Sequence, residues 1–136
     1  MNTQEINLKK MSPDLLSDFA EKLAENLKKN KNTNKQTQIR KFYDELSMWN
    51  NKVQFSKDKQ SEYEKNAIFI KMMKAKVAYA AARKSGGNYL VSEDFKNFFD
   101  ELITQIEDCE TLKNAKLFME AVMGYCKYFE EKNKNR

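Results

Sequence analysis

Residues 71–87 read KMMKAKVAYAAARKSGG, and the placing of this stretch decides the fold. Met72, Met73, Val77, Tyr79 and alanines at 75, 78, 80, 81 and 82 follow Ile68, Phe69 and Ile70 without a break. At 100° per residue these side chains cover every direction around a helix, and a helix that is apolar on all sides is normally a buried one. The stretch therefore predicts a central helix, with alanines that let neighbouring helices or another chain approach closely. Every charge in it is positive: Lys71, Lys74, Lys76, Arg83 and Lys84. The same seventeen residues thus predict both a core element and an anion-facing surface.

Working outward, this helix is expected to begin between Ser56 and Ser61 and to run to Lys84, where Gly86-Gly87 stops it. The following Asn88-Tyr-Leu-Val91 has strand character, but a lone strand has nothing to pair with. Upstream, Ser12-Pro13-Asp14 supplies an N-cap, a first-turn proline and a charge that complements the dipole. Leu15, Leu16, Phe19, Leu23 and Leu27 then recur at helical spacing. Thr37 is expected to cap a second helix with a stripe of Ile39, Phe42, Tyr43, Leu46, Trp49 and Val53. Ser92, followed by Glu93 and Asp94, opens a fourth carrying Phe95, Phe98, Phe99, Leu102, Ile103 and Ile106. A fifth, over 112–131, carries Leu117, Phe118, Ala121, Val122, Tyr125 and Phe129. Trp49, Tyr79 and Tyr125 are expected in the core. Three glycines and one proline are too few for the turns of an all-β domain. The fold class is all-α: one compact domain over 1–136, about five helices with a long central one, and flexible ends at 1–11 and 132–136.

The 136 residues include no histidine, which removes the commonest general base and the commonest metal ligand. There is no phosphate-binding glycine loop, no calcium loop and no metalloprotease motif. The chain is accordingly expected to be no enzyme and to hold no cofactor or metal. Cys109 and Cys126 stand apart, as small apolar fillers suited to a reducing cytoplasm. No apolar run of transmembrane length is present, and the N-terminus lacks a signal core, so membrane and secretory roles are not expected.

Net charge is +5, and its distribution is uneven. Residues 26–43 carry six Lys or Arg and no acid; residues 65–92 carry another six and no acid. Residues 93–110 carry seven acids against Lys96 alone. Acid-free basic blocks flanked by Gln36, Gln38, Tyr43 and Tyr79 suit the backbone of a nucleic acid, which needs cations, amides and hydroxyls rather than a catalytic group. Basic and acidic blocks on one chain equally suit head-to-tail stacking of copies, or neutralisation within a monomer. A helical protein–protein adaptor, docking through the alanine-rich face of the third helix, is the alternative.

Three segments in order carry a resemblance: TQIRKFYDEL (37–46), MMKAKVAYAAARK (72–84) and LFMEAVMGYCKYF (117–129). Together they resemble the small helical subunit of the type III-A CRISPR effector, the Csm complex. The resemblance implies an all-α subunit without catalytic activity. Several copies would stack inside a ribonucleoprotein used in antiviral defence, beside the backbone and large subunits, and contact the target RNA paired with the guide RNA. It implies RNA contact by Gln38, Arg40 and Lys41 of the first motif and by Lys74, Lys76 and Arg83 of the second; Lys35 and Lys84 flank them as further candidates. The chain departs from the family pattern at Ala82, where glycine is expected, and at Gly124 and Cys126, where alanine and histidine are commoner.

Overall fold

A computed structural model describes residues 5–134. Leu15–Phe19 form one wide helical turn, with Phe19 N donating to Asp14 O at 3.0 Å, and lead into α1, Ala20–Leu27. Then follow α2, Gln36–Gln54; α3, Lys59–Ala82; a two-stranded hairpin of β1, Lys84–Ser85, and β2, Asn88–Tyr89; α4, Glu93–Gln105; and α5, Cys109–Lys134. The all-α reading holds.

The caps explain the boundaries. Ser12 Oγ accepts from Leu15 N at 3.2 Å and Ser92 Oγ from Phe95 N at 3.1 Å, as expected of both serines. Asp58 caps α3 through Ser61 N at 3.1 Å. Asp108 caps α5 through Thr111 N at 2.7 Å, and the helix begins at Cys109, three residues before its expected start at 112. Thr37 is not a cap: α2 already begins at Gln36, with Lys35 as the flanking residue and no side-chain cap.

The central helix is α5, not α3. α5 packs along α1 and α2 and buries Leu112, Ala115, Phe118, Met119, Val122, Met123, Cys126 and Phe129. α3 lies outside, between α2 and α4. It buries Tyr63, Asn66, Ile70, Met73, Val77 and Ala80, one stripe at alternating spacings of three and four. Its opposite stripe is open to solvent: Ile68 is 72% exposed, Met72 58% and Tyr79 65%. Tyr79 is therefore a surface residue, contrary to the sequence expectation. Two apolar stripes back to back give the same all-round pattern as full burial, and periodicity alone does not separate the two cases.

Rings join the layers. Phe95 and Phe99 of α4 each lie 5.9 Å from Phe42 of α2, centroid to centroid. Phe98 meets Phe118 of α5 at 5.7 Å, and Phe118 meets Phe19 at 6.0 Å. Near the N-terminus Ile6 and Leu8 are buried within the segment expected to be flexible. Gln105 Oε1 accepts from Leu8 N at 2.9 Å, while Gln105 Nε2 donates to Ile6 O at 2.7 Å and Asn114 Nδ2 to Leu8 O at 2.8 Å. Residues 132–134 continue α5.

The expected lone strand does have a partner. Gly86 (φ 62°) and Gly87 (φ 85°) are the two central residues of a tight hairpin turn that needs positive φ at both positions. Lys84 pairs with Tyr89 across it. The glycine pair builds a hairpin, and α3 ends earlier, at Ala82.

Phe118→Ala is expected to lower the unfolding free energy by about 3–5 kcal/mol, read from the urea midpoint by circular dichroism. Asp108→Ala should cost about 1 kcal/mol at neutral pH. The hydrogen bonds from Thr111 hold the Asp108 carboxyl below the usual carboxylate range. Its contribution is thus present above the unfolded carboxylate value and is lost as pH falls through the folded one. The stability gap between the two proteins should close on acidification below about pH 4.

Candidate nucleic-acid interface

α2 and α3 run antiparallel. Lys76 Nζ sits 3.0 Å from Glu45 Oε1, and the Trp49 and Phe69 rings stack at 5.7 Å and 7°. Reading along these pairs, the start of α2 lies beside the end of α3. Lys35, Arg40 and Lys41 of one basic block therefore meet Arg83 and Lys84 of the other, more than forty residues away in sequence, at one end of the bundle.

Asn34 secures that end. Its backbone is left-handed, φ 57°, a conformation asparagine tolerates better than most residues. Its N–H donates to Leu90 O at 3.1 Å, tying the loop to the strand return. Nδ2 donates to Leu27 O at 3.0 Å and Ser92 Oγ at 2.9 Å, and Oδ1 accepts from Ser92 N at 2.8 Å. Its carbonyl accepts from the buried Lys28 Nζ at 2.8 Å. One residue thus joins the end of α1, the start of α2, the hairpin and the cap of α4. Burial pushes Lys28 below the ordinary lysine value, with Glu130 opposing the shift. Asn133 Nδ2 donates to Lys28 O at 3.1 Å and brings the last turn of α5 to the same place.

Of the expected site residues, Lys35, Gln38, Arg40, Lys41, Arg83 and Lys84 gather here. Lys35, Arg40 and Lys41 are exposed on the first turns of α2. Arg40 Nε stands 3.8 Å from Asp44, a loose surface pair that competes weakly with a phosphate. Lys41 Nζ lies 5.6 Å from the Phe42 ring centroid. Gln38 is half-buried, and its Oε1 has no hydrogen-bond partner among the described residues. The Arg83 guanidinium sits 5.9 Å from the Tyr79 ring, and Lys84 Nζ 4.9 Å from that of Tyr89.

Lys74 and Lys76 lie further along α3 and point to opposite sides. Lys74 Nζ donates to Thr104 Oγ1 at 2.7 Å on α4, whereas Lys76 is held by Glu45 on α2. Lys71 has a role the sequence did not signal. Its ammonium donates to Ile103 O at 2.7 Å and Ile106 O at 2.6 Å, so it caps the carbonyl end of α4, where a cation also suits the dipole. Burial lowers its pKa.

Sequence reasoning passed over Asn34 and Tyr89. Asparagine in a run of Asn and Lys gives no sign of a single buried copy, and Tyr89 becomes a surface platform only through the hairpin. Among the described residues, no group of three or more His, Cys, Asp or Glu is placed to hold a metal ion. No described helix is long and apolar enough to cross a membrane.

Asn34→Ala should cost about 3 kcal/mol, since it strands the Ser92 N–H and the Leu27 carbonyl and strains the backbone. Asn34→Gly, which keeps the backbone relaxed, should cost measurably less. Equal losses in urea unfolding would show that the backbone strain adds nothing and that the whole loss lies in the side-chain bonds.

A family model described as Csm2 Type III-A matches residues 10–132. No curated protein and no solved structure matches the chain. The chain belongs to the Csm2 type III-A family, the structural small subunit of the type III-A CRISPR effector, and associates with other subunits of the Csm complex.

Proposed function

From that membership we propose that the chain is a non-catalytic RNA-binding subunit of the effector, present in several copies, that touches the target RNA paired with the guide through its basic end. The observation that carries this reading is the meeting of the two basic blocks. Lys35, Arg40 and Lys41 stand on the first turns of α2, with Arg83 and Lys84 beside them at the end of α3. Arg40 and Arg83 offer planar donor forks suited to phosphate oxygens, and the lysines add point charges. Gln38 and neighbouring hydroxyls provide for 2′-hydroxyl contacts. Lys74 and Lys76 flank the end, each released for RNA only if its bond to Thr104 or Glu45 opens. Affinity built this way is insensitive to sequence and sensitive to salt.

The exposed stripe of Ile68, Met72 and Tyr79, with half-exposed Phe69, supports a second contact surface for protein subunits of the complex or for a further copy of the chain. The same stripe favours the alternative of an adaptor with no nucleic-acid role.

The test is anisotropy with fluorescent RNA, single-stranded and paired, over a salt series. Arg40→Glu with Lys84→Glu should weaken binding at least tenfold and lower the salt slope by about one to two, with the helical circular dichroism intact. Unchanged binding would move the RNA surface elsewhere. Absence of binding in the unaltered protein at low salt, with Met72→Glu preventing incorporation into the effector, would establish the adaptor instead.

A further inference from the structure

Beside the basic end runs a groove of about 650 Å³, within the usual range of about 300–1,000 Å³ for small-molecule sites. The last turn of α1 and the loop after it form one wall, with Asn26, Lys29 and Asn30. The end of α3 and the hairpin form the other, with Ala82 and Tyr89. The first turn of α4 closes it with Glu93 and Asp94.

Three observations bear on what this groove takes. Tyr89 is 47% exposed and its hydroxyl makes no hydrogen bond among the described residues, so its ring is partly open to solvent beside Lys84. Glu93 and Asp94 form no ion pair among the described residues, so the groove carries unpaired acceptors and does not suit a phosphate. Cations stand beside them: Lys84 lies against the Tyr89 ring and Lys29 on the loop. Acceptors and an aromatic face with cations alongside match a nucleotide whose base points in and whose phosphates stay out. Carboxylates accept from the amino group of cytosine and from the amino and imino groups of guanine, and tyrosine stacks on any base.

We propose that this groove is a nucleobase subsite, taking one unstacked cytosine or guanine of the bound RNA on Tyr89, with Asp94 and Glu93 as acceptors and Lys29 and Lys84 on the adjoining phosphates. The proposal rests on the RNA reading above and adds to it a contact with a base rather than with the backbone.

The probes are a short fluorescein-labelled RNA of cytidines, the same length of abasic ribose phosphate, and a cytidine RNA carrying one pyrrolocytosine, whose emission falls on stacking. The full-length protein should bind the cytidine RNA about tenfold more tightly than the abasic strand and quench pyrrolocytosine. Tyr89→Leu should reduce cytidine binding to the abasic level and abolish the quench, whereas Tyr89→Phe should retain both. Asp94→Asn should weaken binding of cytidine RNA more than that of a uridine RNA. Equal affinity for cytidine and abasic strands, unmoved by Tyr89→Leu, would overturn the subsite and leave the backbone reading standing. Failure to bind either strand at low salt would overturn both. Tyr89 is exposed and outside the core, so its variants should keep the circular dichroism of the unaltered protein.

Discussion

The fold depends on the ring contacts made by α4. Phe95 and Phe99 reach Phe42 on α2, and Phe98 reaches Phe118 on α5, so a thirteen-residue helix is locked by its rings to two longer ones. Buried aromatic pairs at these separations add to the hydrophobic term and also fix geometry, because tilted and edge contacts tolerate little sliding. α2 and α5 also pack directly on each other, so α3 can lie outside, against α2 and α4, without contributing its whole surface to the core. Lys71 completes the arrangement by closing the carbonyl end of α4.

The basic end follows from the same arrangement. Antiparallel packing of α2 on α3 brings the start of one to the end of the other, and Asn34 joins that corner to α1 and to the cap of α4. A cationic surface built on one short loop would be soft. Here the charges stand on helix ends and a hairpin connected through one buried amide, so their spacing is held by the core.

α3 explains how a small chain serves an assembly. Its inner stripe, from Tyr63 to Ala80, makes the fold, and its outer stripe, from Ile68 to Tyr79, stays open. A lone soluble protein gains nothing from an exposed apolar row of this kind, whereas a subunit of the Csm complex has neighbours. The cations in the same stretch divide by position: Lys71 and Lys74 toward α4, Lys76 toward α2, and Arg83 and Lys84 at the basic end.

Cap chemistry and hydrophobic spacing made the helices legible in the sequence, as Ser12, Ser92 and the phenylalanines of α4 show, and three short motifs carried the family. These are local properties, decided by residues within a few turns of one another. The sequence also revealed two acid-free basic blocks, but not that they meet, because the meeting depends on the antiparallel pairing of α2 and α3. It did not distinguish a buried α3 from one with two apolar stripes, because both have the same periodicity and differ only in which neighbours cover them. Nor did it mark Asn34 among its many asparagines, or Gly86-Gly87 as a hairpin turn rather than a helix stop. Composition, the helical segments and family were thus determined by the sequence itself. Which helix is central, which cations are bound within the fold and where the grooves lie were decided only when the chain packed, since each is a relation between distant residues.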